Sequence, residues 1–229
     1  MTNPASIPDE LIYSDAGLEV RRLSVSEMDN RCYLLTDTAS GEQVLIDAAD
    51  DPETLLAWAG QHGDGTLLAV LTTHSHWDHT RALAVVAEST EAFTISGEED
   101  VDAIAEQRDV VIEAAVSHGE DLAFGDDGAL KLTCVGLRGH TPGSIAYVLQ
   151  RPDAESPAAT LIFSGDSLFP GGVGNTDHDP ARFASLLDDV THRLFDVYPD
   201  SAQVFPGHGE GTTLGTERPH LEQWRERGW

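Results

Sequence analysis

Thr73-His74-Ser75-His76-Trp77-Asp78-His79 gathers three imidazoles and a carboxylate within a few residues. Neutral imidazole and carboxylate are ligands that suit zinc, and iron or manganese at some cost in selectivity. The stretch follows the apolar run Leu67-Leu68-Ala69-Val70-Leu71, which reads as a buried strand. Sites collect at such strand ends because the scaffold is rigid and the loop is free to vary. A histidine-rich polar loop is the plain alternative, and four ligand-type groups at this density speak against it. The stretch lacks enough groups at convergent angles to fill a metal site, so further ligands must come from elsewhere.

The same arrangement, a buried strand followed by a metal-capable residue beside glycine, recurs three times. Leu130–Val135 leads to Gly139-His140-Thr141-Pro142-Gly143, Leu161–Phe163 to Ser164-Gly165-Asp166, and Ala202–Phe205 to Pro206-Gly207-His208-Gly209. Any one of these residues alone is equally well explained as a cap or a turn. Their joint occurrence at strand ends, with glycines that permit close backbone approach, points to one shared site.

The other elements must position these ends. Leu18–Val25, Cys32–Thr36 and Gln43–Asp47 read as an antiparallel meander. A helix is expected from Pro52 through Trp58, with Asp51 as its N-cap. Arg81–Glu88, Glu98–Gln107, Pro180–Val197 and Glu217–Arg227 read as helices, and Phe93–Ile95 and Ile145–Leu149 as strands. The turn-rich stretch Arg151–Ala158 separates two strands, and residues 1–17 are expected to lie loosely on the surface. No repeat, low-complexity segment or linker interrupts the 229 residues, so one domain over 1–229 is expected.

Composition narrows the function classes. The chain is 40% hydrophobic and 23% charged, an ordinary globular balance, with no apolar run approaching the ~20 residues of a membrane span. Forty acidic residues against 13 basic ones give a formal charge of −27. Such a surface repels polyanions and argues against nucleic acid and anionic membranes as partners. The N-terminus has neither a basic start nor an apolar core, so a cytoplasmic location is expected. Cys32 and Cys134 sit in apolar alternating segments and read as small core residues.

Taken in order, His-x-His-x-Asp-His, Gly-His-Thr-Pro-Gly, Ser-Gly-Asp and Pro-Gly-His-Gly resemble the metallo-β-lactamase superfamily of metal-dependent hydrolases, over nearly the whole chain from about residue 18. The resemblance implies an α/β fold, an αβ/βα sandwich of two mixed β-sheets with helices on the outer faces and metals at one edge. Carried over by position, it implies His74, His76 and His140 on one metal, Asp78, His79 and His208 on a second, and Asp166 bridging both. Two zinc ions per chain are implied, with iron or manganese as alternatives in one or both sites. A metal-bridging hydroxide would attack a carbonyl, with Asp166 and Asp78 as the catalytic carboxylates and Asp78 relaying a proton.

Gly165-Asp166-Ser167-Leu168-Phe169-Pro170-Gly171-Gly172-Val173-Gly174 is similar to the glyoxalase II group, which hydrolyses S-hydroxyacylglutathione thioesters. The resemblance therefore implies a hydrolase acting on a thioester of a small thiol, its partner an acylated low-molecular-weight thiol. Two departures stand out. Asn175 occupies the place of the group's usual Arg, and the helical glutathione-binding extension does not follow His208. The carrier stays open between glutathione and another small thiol such as mycothiol. A mononuclear-iron persulfide dioxygenase using His74, His140 and Asp166, and a lactonase, are the rival readings on the same fold.

Asn175, Thr176 and His178 follow the bridging Asp in a loop and are candidate substrate contacts, with a solvated loop as the plain reading. Trp77 either walls the site or simply packs. The pairs Glu98-Glu99 and Asp188-Asp189 read as solvated helix faces.

Overall fold

The structure, a computed structural model, describes residues 7–125, 128–151 and 160–228. The stretch expected to be turn-rich lies, beyond Arg151, outside the described residues, as do the first six of the N-terminal segment.

Strands β1 (Glu10–Ser14), β2 (Leu18–Val25), β3 (Asn30–Asp37), β4 (Gln43–Ile46), β5 (Leu67–Thr72), β6 (Phe93–Gly97) and β7 (Ala114–Val116) form one sheet in sequence order. The first four run antiparallel and the rest parallel. The parallel turn-overs require crossovers, supplied by helices α1 (Pro52–His62), α2 (Leu83–Thr90) and α3 (Val101–Arg108). A second sheet combines β8 (Asp121–Phe124), β9 (Leu130–Gly136), β10 (Ile145–Gln150), β11 (Thr160–Gly165), β14 (Gln203–Pro206) and β15 (Thr212–Thr213), in the order 15-14-11-10-9-8. A small hairpin, β12 (Leu168–Phe169) and β13 (Gly172–Val173), follows β11, and α4 (Pro180–Val190), α5 (Leu214–Glu217) and α6 (Leu221–Arg227) complete the chain.

Side-chain alternation explains the layering. Tyr33 and Leu35 of β3, Val44 and Ile46 of β4, and Ile145, Tyr147 and Leu149 of β10 enter one apolar cluster between the sheets. Their alternates Cys32, Leu34 and Leu45 pack with Leu55 and Trp58 of α1 and Leu83 and Val86 of α2. Ala146 and Val148 pack instead with Phe183, Leu186 and Leu187 of α4. These strands are apolar on both faces because both faces are covered. The result is the expected sandwich of two mixed sheets with helices outside.

Three local expectations change. Glu10–Ser14, placed within the loose N-terminal segment, pair with β2, and Arg22 forms an ion pair with Glu10. Asp15 Oδ1 closes the following turn by accepting from Gly17 N and Leu18 N, each at 2.9 Å. The apolar run of β1, Leu11-Ile12-Tyr13, is short and does not alternate, so it gives little strand signal. The helix expected over Pro180–Val197 ends at Val190 and continues as one π turn, Thr191–Phe195. Asp189 of α4 is buried rather than solvated, shared between Arg138 (2.9 Å) and Arg193 (3.1 Å).

Two buried tyrosines tie the sheets together at the edge where the strand-end motifs lie. Tyr33 of the first sheet donates to Pro206 O of the second at 2.6 Å, and Tyr147 of the second donates to Thr72 O of the first at 3.0 Å. Backbone bonds reinforce the seam: Ile145 N donates to Thr73 O, and Arg31 N to Gly207 O, both at 2.8 Å. Each tyrosine bond ends one residue before a histidine-bearing loop begins. Tyr33→Phe or Tyr147→Phe would leave a buried carbonyl unpaired, and each is expected to cost ~1–3 kcal/mol in equilibrium urea unfolding. Wild-type stability in both variants would show that the seam is not held this way.

Candidate metal centre

Four strand ends converge on one place. β5 delivers Thr73 to His76 and then the single 3₁₀ turn Trp77–His79, β9 delivers His140, β11 Asp166 and β14 His208. Ring and carboxylate atoms group as His74/His76/His140, as His74/His79/Asp166 and as Asp78/His79/His208, with the candidate ligand atoms of each group within 4.8 Å of one another. Asp166 stands between the outer groups: its Oδ2 lies 3.6 Å from His140 Nε2 and 3.5 Å from His208 Nε2, and its Oδ1 3.5 Å from His79 Nε2.

The backbone approach that packs these groups so tightly demands glycine at two positions. A Cβ at Gly207 would meet Asp166 Oδ1 at 2.3 Å and His79 Cε1 at 2.6 Å. One at Gly174 would meet Asp166 O at 1.7 Å. Both are impossible contacts for any other residue.

Most of the imidazoles are oriented by the outer nitrogen. His140 Nδ1 lies 2.7 Å from Asn175 O, His208 Nδ1 2.9 Å from Met28 O, and His79 Nδ1 2.9 Å from Asp47 Oδ2. His74 Nδ1 lies 3.0 Å from Thr73 Oγ1, which itself donates to Asp47 Oδ2 at 2.8 Å. A carbonyl or carboxylate partner fixes the proton on Nδ1, so the Nε2 lone pair points inward. Among the described residues, His74 Nε2, His140 Nε2 and Asp166 Oδ1 are buried without a hydrogen-bond partner. Inward lone pairs with no donor among them are the donor set a divalent cation takes. The residues present fit a metal centre.

Electrostatics divides the rings into two kinds. Burial and the neighbouring imidazoles push His74 well down, and burial pushes His140 down. Burial opposes charge on His79 and His208 too, but there the carboxylates prevail. The bond to Asp47 holds His79 up, and the bond to Asp78 holds His208 up at about 9. Burial would raise the Asp78 carboxyl, yet His208, His79 and Asn30 hold it low. A cation arriving at this half of the site must therefore displace the proton that His208 shares with Asp78.

Three supporting residues escaped the sequence reading. Asp47, at the end of β4, accepts from Thr73 N at 2.7 Å besides its contact with His79. It ends a buried strand as the others do, but no glycine flanks it, so the pattern of a metal-capable residue beside glycine passes it over. Asn30, fully buried, donates through Nδ2 to Asp78 Oδ2 at 3.0 Å. Asp100, buried where a surface helix was expected, accepts from Ser75 N (2.8 Å), Gly143 N (2.9 Å) and Thr141 Oγ1 (2.6 Å). It thereby clamps the His74–His76 loop to the His140 loop. Neither Asn30 nor Asp100 carries a local signal, because each acts across the fold.

A cavity of about 720 Å³ opens beside His76 and His140. Trp77, 51% exposed, walls it rather than packing in the core. Asn175, Thr176 and His178, the candidate substrate contacts, are not among its lining residues. Asn175 contributes its backbone carbonyl to His140, Thr176 is buried and His178 is exposed.

The family described as the metallo-beta-lactamase superfamily matches residues 27–208. A human protein named hydroxyacylglutathione hydrolase-like protein is 34% identical over 193 residues, 83% of this chain and 59% of that protein. Hydroxyacylglutathione hydrolase of Pseudomonas entomophila is 33% identical over 209 residues, 87% of this chain and 71% of its own. The chain thus spans about 59% of the human relative's length. Among solved structures, TTHA1623 in a di-iron-bound form is 32% identical with a TM-score of 0.63, over 86% of this chain and 96% of that one.

Asp47→Asn keeps the shape of the side chain but offers an amide where His79 and Thr73 need an acceptor. A loss of ~10–100-fold in metal affinity is expected, read by competition with a chromophoric chelator. Unchanged affinity would remove Asp47 from the machinery that orients the ligands.

Proposed function

The chain belongs to the metallo-β-lactamase superfamily, and from that premise we propose that it is a dinuclear zinc hydrolase of thioesters of a small thiol. His74, His76 and His140 would hold one metal, Asp78, His79 and His208 the other, and Asp166 both. The observation that carries this reading is the convergence of these seven side chains, from four strand ends, into overlapping groups with Nε2 atoms turned inward. Imidazole and carboxylate suit zinc first, with iron or manganese as substitutes. The solved relative in a di-iron-bound form supports two metals on this fold. The relatives named hydroxyacylglutathione hydrolase support the thioester class.

Bound there, divalent metals supply Lewis acidity and a water acidic enough to ionise near neutral pH. The chain's own residues do the rest. Asp47, Thr73, Asn175 O and Met28 O hold the rings in the ligating tautomer. Asn30 and His208 both engage Asp78 Oδ2, which leaves Asp78 Oδ1 as the oxygen that can take up and pass on a proton. A thiolate leaving group asks little of it, since a thiol ionises at a pH not far above neutral. The cavity beside His76 and His140 receives the substrate.

The reading takes residues 1–229 as one domain, since all three apolar clusters share strands of the same two sheets. It places the enzyme in the cytoplasm, where Cys32 and Cys134, both free and buried, stay reduced. No helix among the described residues is long and apolar enough to cross a membrane.

The test is a panel of acyl thioesters and lactones, with thiol release followed by a chromogenic thiol reagent. Thioester turnover is expected, with His76→Ala and Asp166→Ala each lowering kcat by at least ~100-fold and lowering bound metal. Turnover of lactones in preference to thioesters would overturn the substrate assignment. Full activity in either variant would overturn the ligand assignment.

A further inference from the structure

The cavity beside His76 and His140 is of small-molecule size, and its composition runs against the rest of the chain. Acidic residues outnumber basic ones 40 to 13 overall. Yet among the described residues lining this cavity are two arginines, Arg138 and Arg182, and no Asp or Glu. Glu98 and Glu99 line a neighbouring, smaller cavity that shares Arg138, and Glu99 acts on that guanidinium from there. A wall without carboxylates is where, in so acidic a molecule, an anionic guest meets the least repulsion.

The two arginines do different work. Arg182 spends its nitrogens on the protein: Nε on Gly139 O (2.8 Å), Nη2 on His140 O (2.6 Å) and Nη1 on Asp177 (2.6 Å). It is a strut for the His140 loop. Arg138 places Nε and Nη2 on Asp189, both at 2.9 Å, and Nη1 forms no hydrogen bond among the described residues. Because Asp189 also pairs with Arg193, the trio carries one net positive charge. Arg138 presents it, its side chain 53% exposed against 22% for Arg193. A guanidinium plane already fixed by a carboxylate on one edge loses little freedom when it binds through the other.

Resting on the thioester reading above, we propose that Arg138 binds a carboxylate carried by the substrate, so that this site selects anionic thioesters over neutral ones. Arg138 lies two residues before His140, at most ~7 Å along the backbone. Both residues line the cavity, so an anion held by Arg138 shares it with the carbonyl that reacts beside His76 and His140. Gln107 and Ser185, also on the wall, offer neutral donors to the second carboxylate oxygen. The carboxylate can belong to the thiol half or to the acyl half, and the test takes both.

Four thioesters are compared on the metal-loaded full chain: S-acetyl-3-mercaptopropionate and the S-ethyl monothioester of succinate, each beside its neutral primary amide. One acid is expected to exceed its amide about tenfold or more in kcat/KM, through KM, the worth of one charge-assisted hydrogen bond. In Arg138→Gln that ratio falls to near one, and Arg138→Lys recovers part of it. Asp189 keeps Arg193 and the Arg138 backbone N–H in both variants, and bound metal and circular dichroism check that they fold. Equal rates for acid and amide in the wild type, or a ratio that survives Arg138→Gln, would overturn the proposal. If none of the four is cleaved, the hydrolase reading fails separately and binding decides the proposal. Calorimetry with 3-(methylthio)propionate and its amide must then show tighter binding of the acid that Arg138→Gln abolishes, and equal binding overturns it.

Discussion

Lone pairs that face one another without a proton between them repel, and this constraint shapes the whole molecule. His74 Nε2, His140 Nε2 and Asp166 Oδ1 are buried with no donor to meet them. Leaving such groups unpaired in a packed interior costs several kcal/mol in total unless something positive satisfies them together. The chain accepts that cost and fixes it in place through outer partners: Asn175 O takes the His140 Nδ1 proton, and Thr73, itself bonded to Asp47, takes that of His74. Pre-organised repulsion of this kind is what gives a metal site its affinity. The same constraint explains the glycines, since only glycine at 174 and 207 lets backbone pass within reach of Asp166.

The sandwich exists, in functional terms, to bring four strand ends from two sheets to one edge. Neither sheet holds the whole candidate ligand set: His74, His76, Asp78 and His79 belong to the first, and His140, Asp166 and His208 to the second. The sheets must therefore be locked in register where they meet. The reciprocal tyrosine bonds to Thr72 O and Pro206 O do this within the apolar core. Asp100 does it at the loops, joining Ser75 to Thr141 and Gly143. Fold stability and site geometry thus rest on the same few contacts.

What was legible in the sequence is what is local. The strands around the site are continuous apolar runs because both their faces are covered, and each ends in a short ligand motif, so fold class and candidate ligands could be read together. Asn30, Asp100 and Asp189 could not, because their roles depend on partners 48, 25 to 43, and 51 residues away. Asp189 reads as a solvated helix residue because, although Arg193 stands one turn away, Arg138 on its other side belongs to a distant segment. Asn175 entered as a candidate substrate contact, yet it serves through a backbone carbonyl, which any residue could provide. The cavity wall is assembled from the loop after β5, α3, the loop after β9 and α4. A wall drawn from four segments has no signature in any one of them.

The central claim is that the two overlapping ligand groups act as one dinuclear centre. Metal content per chain, by mass spectrometry on protein purified from its native host without added metal, tests it most directly. The account predicts about two divalent ions per chain, zinc foremost. A single iron per chain with little zinc would contradict it, and would leave Asp78, His79 and His208 without the role assigned to them.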